Sequence, residues 1–267
     1  MKCEVVGITP ELARKWLENN CVNRTVTHAR VEMYARDMTA GKWLLNGEPI
    51  VFNKDGKLVN GQHRLTAIIK CGLTIKMLVI KGVENTDGVI YDRGRSRNTS
   101  DTLVMNGVDK YIATSNVTGM IRLLMCAKKI SYVPTDTEVQ NYIEKYSEQI
   151  KVIKKICCGK THNKGVNMNK SVIMGCMFCA YLSGVSPEVI EEFVKVIYTG
   201  FYERQNQTPA VVFRNDMINK NISMVGMKQR TMALHSCEKA LYDYVNKAKR
   251  KKSYAGCEEP IYTNIEL

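Results

Sequence analysis

The sequence predicts an α+β protein whose first part combines strands and helices and whose second part is built of helices alone. Short apolar runs of strand length, bounded by Gly, Asn and Asp, fall in the first part of the chain. From about Tyr111 onward these signals fade, and apolar residues recur at helical spacing. A chain of 267 residues with 45% hydrophobic content can bury one large core or two modest ones. The expected division is residues 1–107 and residues 108–267.

Thr9-Pro10-Glu11 opens the first helix, with a capping hydroxyl and a proline at the first helical position. Leu12, Ala13, Trp16 and Leu17 form its apolar face. A second helix starts near Thr27 with a stripe of Val31, Tyr34 and Met38, and Gly41 ends it. Lys42-Trp43 then leads to Asn46-Gly47-Glu48. Two short strands follow, Pro49-Ile50-Val51-Phe52 and Lys57-Leu58-Val59, around Asn53-Lys54-Asp55-Gly56, whose Asp-Gly step is a hairpin signal. The chain then passes through Asn60-Gly61-Gln62-His63-Arg64 into a helix carrying Leu65, Ile68, Ile69 and Cys71, closed by Gly72. The next strand covers residues 75–80, and a loop ends in Asp92-Arg93-Gly94-Arg95-Ser96-Arg97.

In the second part, Val117, Met120, Ile121 and Leu124 share a helix face, and Thr135-Asp136-Thr137-Glu138 is a capping box. The lysine-rich stretch 151–170 reads as a frayed helix end and a loop. Further helices are expected over residues 171–183, 186–199 and 227–249, the last running into Lys247-Ala248-Lys249-Arg250-Lys251-Lys252, and an irregular tail after Gly256. No repeat and no low-complexity segment interrupts the chain.

No apolar run is long enough to span a bilayer, and the first residues lack the apolar core of an export signal. A cytoplasmic protein without a membrane partner is the expectation. The cysteines are scattered through helical patterns, which reads as reduced, packed thiols. Cys176 and Cys179 share a helix face with Val172, so burial is expected there, not a metal or redox pair. The formal net charge of +13 is spread over both parts of the chain. A surplus of that size attracts nucleic acid before any specific contact forms. The basic run Lys247, Lys249, Arg250, Lys251 and Lys252 is the candidate nucleic-acid surface.

Chemistry concentrates at Asn60-Gly61-Gln62-His63-Arg64. A glycine at a strand-to-helix junction lets backbone approach a ligand, and a helix start carries partial positive charge. Gln62, His63 and Arg64 add an amide, an imidazole and a planar guanidinium fork, all suited to phosphate. Glu48, between Gly47 and Pro49, is a candidate general base or metal ligand. Asp92-Arg93-Gly94-Arg95-Ser96-Arg97 gathers three guanidinium groups around a glycine, a second candidate set of phosphate contacts. For Arg24, Arg30 and Arg36, salt bridging on a helix surface is the expected role. His28, His162 and His235 stand alone and carry no catalytic assignment.

The segment Asn46-Gly47-Glu48-Pro49-Ile50-Val51-Phe52, then Asn60-Gly61-Gln62-His63-Arg64-Leu65 and Ala67, resembles the N-terminal domain of the ParB/sulfiredoxin superfamily. It is most similar to phage-type ParB-like proteins with an Asp-Gly-Gln-His-Arg-Leu box, over roughly residues 5–107. That resemblance implies a small mixed sheet with helices and a nucleotide pocket in which the Gly61–Arg64 turn holds a triphosphate. Its uses in the superfamily include phosphoryl transfer, nucleotide-gated DNA clamping and nuclease activity. Here Asn60 stands where the box usually has Asp, which removes a carboxylate that could serve as a base or help hold a metal.

Three classes of function therefore stand. The first is a nucleoside-triphosphate-dependent phosphotransferase or NTPase in a phage or mobile-element DNA context. It uses ATP or CTP with Mg²⁺, with Glu48 and His63 as catalytic candidates, phosphate held by Gly61, Gln62, His63, Arg64, Arg93, Arg95 and Arg97, and metal or positioning roles for Asn60 and Asp92. The second is a non-catalytic nucleotide-gated module that binds nucleic acid, with DNA favoured. The third and weakest is a nuclease, for which the box lacks a cluster of Asp and Glu at metal-ligand spacing. Nor does the C-terminal half show a clear helix-turn-helix for sequence-specific DNA binding.

Overall fold

A computed structural model describes residues 1–20, 25–84, 98–128, 131–158, 170–201, 208–249 and 251–264. The chain divides into two compact units, Met1–Ser96 and Arg97–Leu267. Among the described residues there are eleven helices and one four-stranded mixed sheet, an α+β protein. No helix among them is long and apolar enough to cross a membrane.

The first unit runs β1 (Lys2–Ile8), α1 (Pro10–Glu18), α2 (His28–Thr39), β2 (Ile50–Asn53), β3 (Leu58–Asn60), α3 (Gln62–Cys71) and β4 (Ile75–Val83). Its sheet has the order β1-β4-β2-β3, with β2 parallel to β4 and the other pairs antiparallel. The parallel pairing needs a crossover, and α3 supplies it. Thr9 caps α1 as its sequence suggests, its hydroxyl accepting from the Leu12 N–H at 3.2 Å. Gly72 closes α3 with φ +72°, a conformation that costs glycine little. Ile8, Ile50, Phe52, Leu58, Met77 and Val79 from the strands meet Ala13, Val31, Ala35, Met38, Leu65 and Ile68 from the helices in one buried core.

Strand β1 is an addition to the sequence reading, which places nothing regular before Thr9. It lies at the sheet edge, paired with β4 alone among the described residues, and Val5 stays 54% exposed. Its alternation is masked by Lys2 and Glu4, which form an ion-pair row with Lys81 across the strands. Such charges are a usual edge-strand feature.

The second unit contains α4 (Thr99–Met105), α5 (Ser115–Ala127), α6 (Asp136–Lys145), α7 (Ser147–Cys158), α8 (Lys170–Leu182), α9 (Pro187–Thr199), α10 (Pro209–Ile218) and α11 (Met227–Val245). Helix α8 is its axis: Val172 through Ala180, Cys176 and Cys179 included, is buried throughout, and α5, α7, α9 and α11 pack around it. A helix apolar on all sides is stable only inside such a shell. The cysteines among the described residues are free thiols. The capping box at Thr135 and Glu138 forms in both directions.

Four features depart from the sequence reading. Helix α4, with its own capping box at Asn98 and Asp101, packs on α5 and α6, so it belongs with the helical unit and not with residues 1–96. Helix α7 continues regularly through Lys151 to Cys158, where a frayed helix end was expected, because Ile150, Ile153, Ile156 and Cys157 bury one face. Helix α10 is unforeseen, although Thr208-Pro209 repeats the start signal of α1. Finally, α11 ends at Val245 with Asn246 as its cap and Lys247 at φ +52°, so the basic run leaves the helix.

After that run the described residues form no helix or strand, yet they are tightly held. The Asp216 carboxylate accepts from the Tyr254 N–H at 2.7 Å and the Ser253 hydroxyl at 3.0 Å. Glu238, fully buried, accepts from the N–H groups of Ile261 at 2.8 Å and Thr263 at 3.0 Å. Tyr254 is buried and donates to Asp243 at 3.1 Å.

Candidate functional site

The antiparallel pair β2–β3 delivers Asn60 to the start of α3, and Gly61 turns the chain there with φ +112° and ψ 3°. Two constraints require glycine. The backbone lies in the left-handed region, and a Cβ would sit 2.4 Å from Ile50 Cδ1 and 3.3 Å from Ile50 Cα. The turn is therefore pressed against β2. Gly61 contributes no capping side chain, so the positive end of the α3 dipole is dressed by Gln62, His63 and Arg64.

All three of these side chains are nearly buried and each has a partner. Gln62 Oε1 accepts from Asn20 Nδ2 at 3.2 Å, and His63 Nε2 accepts from the Thr27 N–H at 2.9 Å. With Nε2 accepting, a neutral His63 ring carries its proton on Nδ1. These two bonds fasten the end of α1 and the start of α2 to the turn. Arg64 Nη2 donates to the Pro49 carbonyl at 3.0 Å and to Asn60 Oδ1 at 3.3 Å, while Nη1 lies 3.7 Å from Glu48 Oε2. Burial pulls the guanidinium down from its ordinary value, with Glu48 and Tyr34 acting against it. Arginine remains charged through such a shift.

Glu48 is the exposed member: its side chain is 68% exposed whereas that of Arg64 is 10% exposed. An Asx-type turn, Asn46 Oδ1 accepting from the Glu48 N–H at 3.1 Å, and Gly47 at φ +80° set its position at the rim. Behind this rim opens a cleft of about 590 Å³, within the range of small-molecule sites. It is lined by Asn60 through Arg64 with Glu48, and by Arg30, Tyr34 and Trp43.

The structure thus brings together Glu48, Asn60, Gly61, Gln62, His63 and Arg64. Asp92, Arg93, Arg95 and Arg97 lie outside the described residues, as does Arg250. Lys247, Lys249, Lys251 and Lys252 are exposed in the second unit, past the end of α11. Arg30, for which the sequence suggested surface salt bridging, lines the cleft, and Tyr34 and Trp43 were not recognised as cleft residues. Arg30 and Tyr34 are one helical turn apart on α2, a spacing that could have paired them. Trp43 sits in an irregular segment, where no periodicity signals its direction.

Among the described residues no three His, Cys, Asp or Glu side chains gather closely enough to hold a metal ion. At the cleft, Glu48 is the carboxylate that could contribute an oxygen to a cation. Compared with protein-family models, curated proteins and solved structures, the chain finds no match.

Proposed function

We propose that the first unit is a ParB-like nucleotide-binding module that seats a nucleoside triphosphate, ATP or CTP with Mg²⁺, on the Gly61–Arg64 turn. The observation that carries this reading is Arg64: a nearly buried guanidinium at a helix start, held by Pro49 and Asn60, with one edge turned toward an exposed carboxylate at a cleft. A nearly buried guanidinium at a helix start, with an exposed last partner, suits an anionic ligand. Gln62 and His63 position the turn in this reading, since Gln62 Oε1 and His63 Nε2 already hold Asn20 and Thr27.

Chemistry, if the module turns over its nucleotide, falls to Glu48. Exposed at the rim beside Arg64, it is placed to accept a proton from water or an acceptor hydroxyl as phosphoryl transfer or hydrolysis proceeds. Mg²⁺, when bound with the nucleotide, would neutralise charge on the phosphates. A second reading, a non-catalytic nucleotide-gated module, is favoured by Asn60: its neutral amide accepts from Arg64, where an acidic residue could have been a base or a metal ligand. In either case the +13 charge and the exposed lysines after α11 suit a nucleic-acid partner, DNA in a phage or mobile-element setting, bound in the host cytoplasm.

The test is a thermal-shift screen of ribonucleoside and deoxyribonucleoside triphosphates with and without Mg²⁺, since a ligand that binds only the folded state raises its melting temperature. The best ligand is then assayed for turnover with the parent protein and Glu48→Gln. Retained binding with lost turnover assigns an enzyme. No turnover in the parent, with binding intact, assigns the module. No shift with any triphosphate rejects the nucleotide site.

A further inference from the structure

We infer that Tyr34 and Trp43 form the seat of a nucleobase, so that the cleft recognises a nucleoside phosphate by aromatic stacking as well as by its phosphates. This rests on the triphosphate reading of the Gly61–Arg64 turn and adds the other end of the ligand. The two rings meet edge to face, 5.1 Å between centroids and 70° between planes, and both line the cleft. Each is half-buried, packed on the first unit's core, so the pair is anchored from behind.

An edge-to-face pair sets two ring planes at a steep angle, which forms a corner able to take a flat heteroaromatic against one face and the edge of the other ring. Tyr34, Trp43 and Arg64 line the same cleft, which puts the aromatic corner and the phosphate end in one site. Arg30, one turn before Tyr34 on α2 and also on the cleft wall, lies between a phosphate contact and a cation–π partner in its chemistry. Stacking is tolerant of base identity because every base has a π-face. The site should therefore prefer a nucleotide over inorganic polyphosphate while discriminating weakly among bases.

The protein contains two tryptophans, and Trp16 packs edge to face on Phe52 at 5.2 Å, away from the cleft residues. Trp16→Phe consequently leaves Trp43 as a reporter at the site. In that background, a nucleoside triphosphate should quench Trp43 fluorescence, and inorganic tripolyphosphate should bind without that quench. Calorimetry should show Trp43→Ala weakening the nucleoside triphosphate about tenfold, Trp43→Phe restoring most of the loss, and tripolyphosphate affinity unchanged in both. The Trp43→Phe variant and the unchanged tripolyphosphate binding together separate stacking from a folding defect.

Equal affinity for nucleoside triphosphate and tripolyphosphate, with Trp43→Ala neutral toward both, overturns the nucleobase seat and leaves the phosphate site standing. Binding of neither ligand to the parent overturns both.

Discussion

Arg64 in the first unit and Glu238 in the second are both charged side chains withdrawn from water, and the comparison separates the proposed site from a staple. Glu238 is fully buried, and its carboxylate accepts from backbone N–H groups of Ile261 and Thr263 and from the Thr263 hydroxyl. These partners come from the segment after α11, and although Thr263 also lines a small cavity, Glu238 itself keeps no exposed surface. Arg64 is almost as buried, but its third partner is a glutamate that is mostly in water. Removing a charge from bulk solvent costs several kcal/mol unless hydrogen bonds replace the water. At Glu238 the fold supplies all of the replacement. At Arg64 it supplies part, and a ligand can supply the rest. Burial of a charge alone marks neither function nor structure; the replaceability of its last partner does.

The largest effect should come from breaking the staple. Glu238→Ala leaves the Ile261 and Thr263 donors without their acceptor and should cost about 3 kcal/mol or more. Because both tryptophans lie in the first unit, hydrogen exchange of the Ile261 and Thr263 amides is the suitable measurement. Nucleotide binding should not change; a parallel loss of binding would break the comparison.

The same residue predicts a pH dependence. Burial raises the Glu238 carboxyl above its ordinary 4.5, against the opposing pull of the backbone donors. The folded state then binds its proton more tightly than the unfolded state, so this contribution is full below about 4.5 and is lost as pH rises through the folded value. Protection of those amides should therefore fall on the alkaline side of that window, and Glu238→Gln should flatten the slope. An identical profile in the parent and Glu238→Gln would show that the carboxyl does not titrate there.

Next in size is the turn that holds Arg64. Gly61→Ala forces a side chain into a backbone with φ +112° and a Cβ 2.4 Å from Ile50 Cδ1. Left-handed backbone costs roughly 1 to 2 kcal/mol for other residues. The Ile50 Cα at 3.3 Å cannot rotate away as its side chain can. Chemical denaturation followed by Trp fluorescence should report a loss of about 2 kcal/mol in the first unit. Unchanged stability would mean that the turn relaxes freely and that its geometry is not fixed before ligand arrives.

Much of this turn was legible in the sequence, and the reason is local. Gly61, Gly72, Thr9-Pro10 and Asn53-Lys54-Asp55-Gly56 each act through the backbone within a few residues, so their spacing alone announces helix starts, stops and a hairpin. What distance brings together was hidden. That His63 holds Thr27 and Gln62 holds Asn20 depends on the packing of α1 and α2 against α3. Trp43 reaches the cleft from a segment without regular structure, and the carboxylates Asp216 and Glu238 look like surface charges on amphipathic helices until the chain after α11 returns to meet them.

Binding at Arg64 is the third test. Arg64→Ala removes a charge-assisted fork worth roughly 1.5 to 3 kcal/mol, a loss of about tenfold or more in triphosphate affinity. Since the same side chain holds the Pro49 carbonyl, Arg64→Lys is the needed companion. It keeps the charge and loses the planar fork, so calorimetry should place its affinity between the parent and Arg64→Ala. Parent-like affinity in Arg64→Ala would put the phosphate site elsewhere.

The smallest effect is the most discriminating, because it concerns the partner that a ligand must replace. Glu48 Oε2 stands 3.7 Å from Arg64 Nη1 and is mostly exposed, so their attraction is worth under about 1 kcal/mol. Glu48→Gln keeps the shape and removes the charge. Without Mg²⁺, tripolyphosphate then no longer competes with a carboxylate for the guanidinium, and its affinity should rise by a factor of about five at most. With Mg²⁺ the sign can reverse, because a carboxylate that shares the cation with phosphate aids binding. A gain without the metal, together with lost turnover, identifies one side chain that both reserves the Arg64 fork in the empty cleft and serves as base once phosphate displaces it. A gain without any change in turnover leaves Glu48 as a placeholder only. If affinity falls even in chelator, Glu48 is not competing with phosphate, and the contrast with the irreplaceable partners of Glu238 no longer explains why Arg64 is the site.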